Sequence, residues 1–338
     1  MVTALITGSA TSPTGTVDAY HLCGLYSFQV ICKAAFNKDF SKGNADDSAW
    51  ELLKAMEGSA ILLLLNNVAP YLNRSGWGSK IPGFLGHGYR SHDTWVAKSK
   101  EMYDHFLETS SGDDKFFMTP LVHGTDDFLG RKLSYEEVIE EGMGVMFAGS
   151  GTTSSTLTYL LYAISLPENH YIQTRLREEV LKTPDDILAI RNHPYVNAVL
   201  NETLRLYPTI ISTLPRVLLE PMKVGDYLLP AGTVVGMQNY VHHRNPIVFP
   251  DPERYYPDRW LNVTEEMTAS LTPFSLGRRG CIGQNLAWEE LYVAVNALMR
   301  AGIEMRLGEE MKPGDMDMMD RFNIAPRGMK LMLEVTRI

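Results

Sequence analysis

The feature that most constrains this chain is a helical pattern that begins after residue 134 and continues without a break to about Leu166. Ser134-Tyr135-Glu136-Glu137 is a capping box, in which a serine and a glutamate three residues later satisfy each other's free backbone donors. Leu133 just before it can act as a hydrophobic staple. Pro167 ends the run, since proline lacks an N–H and clashes with the preceding turn. A helix of that length is ~45 Å long and crosses a whole domain. The remaining segments have to be arranged around it.

Those segments are mostly helical too. Leu22, Leu25, Phe28, Val30, Ile31 and Ala35 recur at helical spacing and predict a helix over residues 17–36. Residues 47–72 read as one or two helices. Residues 76–88, with five glycines and a proline, read as a loop. A helix is expected from His92 to Thr109, broken by Ser111-Gly112-Asp113-Asp114. Further helices are expected from Glu168 to Leu181 and from Pro194 to Leu206. After Pro208 the pattern changes. Residues 216–219, 222–224 and 233–237 read as short strands, separated by the turn residues Gly225-Asp226 and Pro230-Ala231-Gly232. A helix to about Met299 and a strand from Lys330 to Thr336 close the chain. The expected class is mainly α with a small β portion near the C-terminus.

Composition excludes several functions. With 338 residues, 45% hydrophobic and 21% charged, the chain has the make-up of a globular protein with a sizeable core. A net charge of −9 argues against nucleic acid as a partner. Three cysteines are too few for a disulfide framework, and Cys23 and Cys32 read as core packing. The longest apolar candidate, Ala60 to Leu65, stops at Asn66-Asn67 and is too short to span a bilayer. No charged segment followed by an apolar one marks a secretory signal, so Asn262-Val263-Thr264 lacks the context for glycosylation. No internal repeat is visible.

Four places carry chemistry. In Phe274-Ser275-Leu276-Gly277-Arg278-Arg279-Gly280-Cys281-Ile282-Gly283 a cysteine lies between an arginine and a helix-like run. A lone cysteine is usually a small buried residue. A thiolate at a helix N-terminus is instead stabilised by free N–H groups and the backbone dipole. Ala148-Gly149-Ser150-Gly151-Thr152-Thr153-Ser154-Ser155 places weak helix formers mid-helix, which fits a close helix crossing or a ligand approach. Glu202 and Arg205 share a helix face; alone, such a pair is ordinarily an exposed ion pair of small value. His242-His243 cannot both point to one metal from a strand and read as structural.

The cysteine loop resembles the haem-binding loop of the cytochromes P-450, F-x-x-G-x-R-x-C-x-G, at Phe274, Gly277, Arg279, Cys281 and Gly283. Ala148, Gly149, Thr152 and Thr153 resemble that family's oxygen-binding helix motif, [AG]-G-x-[DE]-T-[TS], with Gly151 in place of the acid. Glu202-Thr203-Leu204-Arg205 is similar to its E-x-x-R pair, and Pro257-Asp258-Arg259-Trp260 to its P-x-R-[FW] segment. All four occur in the family's order. The resemblance implies haem b as cofactor, Cys281 as axial ligand of the haem iron, and Arg279 and Arg216 on haem propionates. It implies Phe274 near the sulfur, Ala148 and Gly149 on the haem side, and Thr152 and Thr153 at bound oxygen. Glu202, Arg205 and Arg259 would form a buried structural trio. Pocket residues would come from Met146 and Phe147, from Thr209 to Leu214, and from Arg321 to Ile324.

The implied activity is a haem-thiolate monooxygenase that inserts one atom of O2 into an apolar organic substrate, of the secondary-metabolite type in a fungus. Its electrons would come from an NADPH-dependent cytochrome P-450 reductase at the cytosolic face of the endoplasmic reticulum. Residues 1–338 would be a single catalytic domain, the C-terminal two-thirds of the family's fold, lacking the membrane anchor and early helices. Two alternatives follow from the departures. Gly151 leaves open a haem-thiolate isomerase or dehydratase that needs no reductase, against which Thr152 and Thr153 argue. A short N-terminal side fits a non-catalytic haem-binding remnant.

Overall fold

The computed structural model describes residues 1–40, 45–74 and 76–338. In chain order its helices are α1 (Val2–Thr11), α2 (Ala19–Phe36), α3 (Ala45–Ser59), α4 (Leu62–Val68), α5 (Pro70–Arg74), α6 (Gly83–Thr109), α7 (Met118–His123) and α8 (Tyr135–Ser165). Then follow α9 (His170–Lys182), α10 (Ile187–Arg191), α11 (Pro194–Leu206), α12 (Asn239–His242), α13 (Glu265–Ser270) and α14 (Gln284–Arg300). The strands are β1 (Thr16–Asp18), β2 (Arg216–Val217), β3 (Met222–Val224), β4 (Tyr227–Leu229), β5 (Val234–Val235), β6 (Ile303–Leu307), β7 (Met318–Arg321), β8 (Asn323–Pro326) and β9 (Met332–Arg337). The fold is mainly α with small sheets. It divides into two compact units, residues 24–151 and residues 1–23 with 152–338.

The capping box starts α8 as its chemistry requires. The Ser134 N–H donates to the Glu137 carboxylate at 2.7 Å, and the Glu137 N–H donates to Ser134 Oγ at 3.3 Å. Arg131 adds two bonds to the same carboxylate, at 2.7 and 2.8 Å, and these hold the Glu137 carboxyl down at about 2.

In the unit of residues 24–151, the glycine-rich stretch is not a loop throughout. The helix expected from His92 begins at Gly83, after a single 3-10 turn at Gly78–Lys80. The reason is packing. A Cβ on Gly86 would lie 1.5 Å from the Ile81 carbonyl oxygen. One on Gly88 would lie 2.4 Å from the Ile61 side chain, and one on Gly78 would enter the Tyr89 ring. These glycines permit close approach, a use that composition alone does not separate from turn formation. The part of α8 up to Gly151 meets α2 in the same way. Gly142 faces the Phe36 ring, and a Cβ on Gly149 would lie 2.5 Å from Ile31.

In the other unit, β1, β9 and β6 form a three-stranded antiparallel sheet with β9 in the middle. Three two-stranded sheets, β2–β5, β3–β4 and β7–β8, complete the β portion. Gly225, at φ +58°, makes the turn between β3 and β4. The core is built from α9, α11, α14 and the C-terminal part of α8, with Leu157, Leu161, Leu176, Val199, Leu200, Leu291 and Leu298 buried. Gln173 of α9 is buried as well: its amide donates to the Ile164 and Met305 carbonyls and accepts from the Met305 N–H.

One buried carboxylate ties α11 to the chain that leads toward the cysteine loop. Glu202 is fully buried and accepts five hydrogen bonds. Arg205 donates two, at 2.8 and 2.9 Å, and Arg259 one at 3.1 Å. The Trp260 indole and the Tyr256 N–H each donate at 2.8 Å. Arg205 also donates to the carbonyls of His243, Pro252 and Arg254 and lies over the Phe249 ring. Two guanidiniums and two neutral donors on one carboxylate make up for removing it from water. His243 is buried beside this cluster, its Nε2 accepting from the Thr272 N–H at 3.0 Å.

Two predictions follow. Arg205→Ala removes two of the five donors on the buried Glu202 carboxylate and the Arg205 donor from the His243 and Pro252 carbonyls, so it should cost on the order of 3–5 kcal/mol in a urea melt at neutral pH; a loss under ~1 kcal/mol, the value of an exposed pair, would refute the clamp. Burial, with the nearby His242, lowers the His243 pKa from 6.5 to about 3. The unfolded chain therefore binds a proton in this window that the folded chain does not, so stability is lost as pH falls from 6.5 to about 3. His243→Asn has no such loss, and its stability deficit against wild type should shrink across that window. A constant deficit would contradict the assignment.

Candidate functional site

The site is organised by the loop in front of α14. Ser275 and Gly277 have positive φ, +60° and +69°, and fold the chain back on itself. Residues Gly277–Arg279 form a 3-10 turn, and Gly280 N–H donates to the Gly277 carbonyl at 3.0 Å. The Cys281 N–H then donates to the Phe274 carbonyl at 2.9 Å, which closes the loop and fixes the cysteine three residues before α14. Gly277 is needed for its conformation. Gly283 is not, at φ −83°, but a Cβ there would touch Cys281 Sγ at 3.8 Å and cover part of the sulfur.

The Cys281 thiol is exposed, whereas Cys23 and Cys32 are buried. Burial pushes the Cys23 thiol up to about 12 and Cys32 up as well, so neither is a nucleophile or a ligand at neutral pH. Around Cys281 the surface is apolar and cationic. Ile282 and Leu276 are exposed, and so are Arg278 and Arg279. Neither arginine has an ion-pair partner among the described residues. Arg216, at the start of β2, is exposed and donates to the Pro215 and Leu214 carbonyls. Arg175, Arg191, Arg244, Arg300 and Arg327 each hold a carboxylate instead.

This donor set fits haem. One accessible thiol can serve as an axial donor, exposed apolar side chains suit a flat macrocycle, and guanidiniums without carboxylates suit propionates. Among the described residues no group of three His, Cys, Asp or Glu side chains is placed to hold a bare metal ion.

The remaining expected residues divide. Glu202, Arg205 and Arg259 come together as described above. Phe274 packs on Trp288, with ring centroids 6.0 Å apart, and Trp288 stacks on Tyr292 at 5.5 Å. Sequence reasoning missed this aromatic anchor, although Trp288 and Tyr292 stand at helical i, i+4 spacing. Thr152 is half-buried and Thr153 buried on α8. Ala148 is exposed, and Gly149 faces Ile31, so the small size of Gly149 serves a helix crossing. A groove of about 750 Å³ lies elsewhere in the same unit as Cys281, lined by Tyr162, Tyr207, Gln238, Arg244, Met316 and Asp317 among others. Neither Cys281 nor Thr152 borders it.

Comparisons with known proteins bear on the family and the fold. The cytochrome P450 family model matches residues 2–326. Cytochrome P450 monooxygenase tazI of Aspergillus terreus is 37% identical over 329 residues, which cover 95% of this chain and 66% of that protein. Cytochrome P450 monooxygenase orf2 of Aspergillus niger is 31% identical over 245 residues, covering 71% of this chain and 49% of that protein. The chain thus spans between half and two thirds of the length of these relatives. A solved structure, retinoic acid bound cyanobacterial CYP120A1, superposes with a TM-score of 0.76 at 18% identity, covering 100% of this chain and 72% of that one. A family match along nearly the whole length and a shared fold lead to one conclusion: the chain belongs to the cytochrome P450 family.

Proposed function

We propose that this chain carries the catalytic domain of a haem-thiolate monooxygenase that inserts one oxygen atom from O2 into an apolar organic substrate of the secondary-metabolite type. The observation that supports it best is the Cys281 thiol, exposed in a closed loop before α14 while the other two thiols are buried. The relatives named above are monooxygenases in their printed names. The cofactor is haem b, the electron donor an NADPH-dependent cytochrome P450 reductase, and the place the cytosolic face of the endoplasmic reticulum. No helix among the described residues is long and apolar enough to cross a membrane.

When bound, the haem supplies dioxygen activation, and a thiolate donor favours O–O cleavage by pushing electron density onto iron. The chain's own residues do the rest. Cys281 provides the thiolate, and the loop hydrogen bond from its N–H to Phe274 sets its position. Arg279 and Arg216 would neutralise the propionates, and Phe274, held by Trp288, would pack on the sulfur side. Thr152 and Thr153 contribute hydroxyls that both donate and accept, as a proton relay requires. Gly151 stands where the family pattern has a carboxylate, so water or another side chain is the proton source. The same substitution is what favours the second reading, a haem-thiolate isomerase or dehydratase. NADPH-dependent turnover separates the two.

The test is the carbon monoxide difference spectrum of the purified, haem-reconstituted and reduced chain beside Cys281→Ala. The expected result is a far-red-shifted Soret band in the wild type that is lost in the variant. A band unchanged by the substitution would overturn the assignment of Cys281.

A further inference from the structure

The C-terminal part of α8 carries more buried hydroxyls than a helix needs. Ser, Thr and other short polar residues weaken a helix interior, and their usual use there is a bond back to the preceding turn. Thr158 does this, donating to the Ser154 carbonyl at 2.8 Å. Ser155 and Thr156 also reach beyond the helix. Ser155 Oγ donates to the Ile324 carbonyl at 2.6 Å, at the start of β8, and Asn323 Nδ2 donates to Ser155 Oγ at 3.3 Å. Thr156 Oγ1 lies 3.1 Å from Thr209 Oγ1. Thr156 donates to the Thr152 carbonyl at 3.3 Å, so Thr209 is the donor within the hydroxyl pair. The Ile324 N–H donates to the Thr209 carbonyl at 2.8 Å.

These bonds close a circuit. It runs from Ser155 to Ile324, from Ile324 to Thr209, from Thr209 to Thr156, and back through the peptide bond between Thr156 and Ser155. Ser155, Thr156, Thr209 and Ile324 are all buried. A buried circuit resists opening, because a polar group released inside the protein has no water to turn to; Asn323 holds the Ser155 side of it further by donating to Ser155 Oγ and to the Ile324 carbonyl. It joins three chain segments far apart in sequence: the turn of α8 that follows Thr152, the chain after α11, and the β7–β8 turn.

We propose that Ser155, Thr156 and Thr209 are positioning residues that lock the two walls of the substrate pocket, Thr209–Leu214 and Arg321–Ile324, to the helix turn carrying Thr152. The naming of those segments as pocket walls rests on the function proposed above; the lock itself rests on the circuit. The two walls move as one body with the turn of α8 that follows Thr152, and the pocket's shape for an apolar substrate is set by hydroxyls that need not touch it. Loss of the Thr156 hydroxyl releases Thr209, and through the Ile324 backbone it loosens the other wall.

The experiment compares Thr156→Val, which keeps the shape and removes the hydroxyl, with Thr156→Ser, which keeps the hydroxyl. In the haem-free chain, amide hydrogen exchange over residues 209–214 and 321–326 should be about tenfold faster in Thr156→Val. It should return close to wild type in Thr156→Ser, with α9 and α14 unchanged in both. In the haem-reconstituted chain, 4-phenylimidazole, whose phenyl ring needs the pocket, should bind about tenfold more weakly to Thr156→Val. Imidazole itself should bind as in wild type. Unchanged exchange in the two walls, equal behaviour of the two variants, or equal weakening of both ligands would overturn the lock. A chain that takes up no haem would count against the proposed function, and the exchange result would still decide the lock.

Discussion

A charged carboxylate with no access to water is the constraint on which the larger unit depends. Glu202 is tolerable inside the protein only because Arg205, Arg259, the Trp260 indole and the Tyr256 N–H converge on it. Each of those donors drags chain with it. Arg205 adds three backbone carbonyls from His243 to Arg254, and Arg259 adds those of Pro250, Asp251 and Arg254. An irregular, proline-rich stretch with few backbone bonds of its own is thereby tied to α11 through its carbonyls. That stretch runs into α13 and then into the cysteine loop, so the loop's starting point is fixed from behind by α11. A hydrophobic replacement could pack as well, but it would not specify this path through the carbonyls it meets.

The cysteine loop follows a different logic. Its conformation is set locally, by two positive-φ residues and the bond from Cys281 N–H to the Phe274 carbonyl, and it is anchored at one aromatic contact, Phe274 on Trp288. Its thiol is left at the surface together with cations that hold no carboxylate among the described residues. Exposed cysteine, exposed isoleucine and unpaired arginine are each unfavourable or neutral for stability. Their occurrence together is accounted for by a ligand that takes up all three.

What could be read from the sequence was what depends on near neighbours. The long helix was legible because its cap, its period and its terminating proline lie within it, and α11 was legible to the residue. The glycines between Gly76 and Gly88 were misread because a turn glycine and a packing glycine look alike until the partner is known, here Ile81, Ile61 and Tyr89. The helix α1 and the strands β1, β4, β6, β7 and β8 were missed for a related reason, β1 because residues 17 and 18 were read into the helix that follows. Weak formers such as those in Val2–Thr11 fold against the sheet, and β6 gains its strand character from β9, where Ile303 pairs with Arg337. At the Glu202 cluster the two arginines stood in motifs, but the backbone donor of Tyr256 and the indole donor of Trp260 needed the fold to bring them in. Ser155 read as one more weak helix former and Thr156 was not singled out; their bonds to Ile324 and Thr209 became visible with the fold.

Alkylation of the three thiols with iodoacetamide, followed residue by residue by mass spectrometry, tests the account's central claim most directly. In the native haem-free chain Cys281 should react quickly while Cys23 and Cys32, buried, react only as the protein unfolds. Added haem should protect Cys281 and leave the other two thiols unchanged. Cys281 reacting at the same rate with and without haem would contradict ligation at that sulfur. Rapid labelling of Cys23 or Cys32 in the native chain would contradict the fold that buries them.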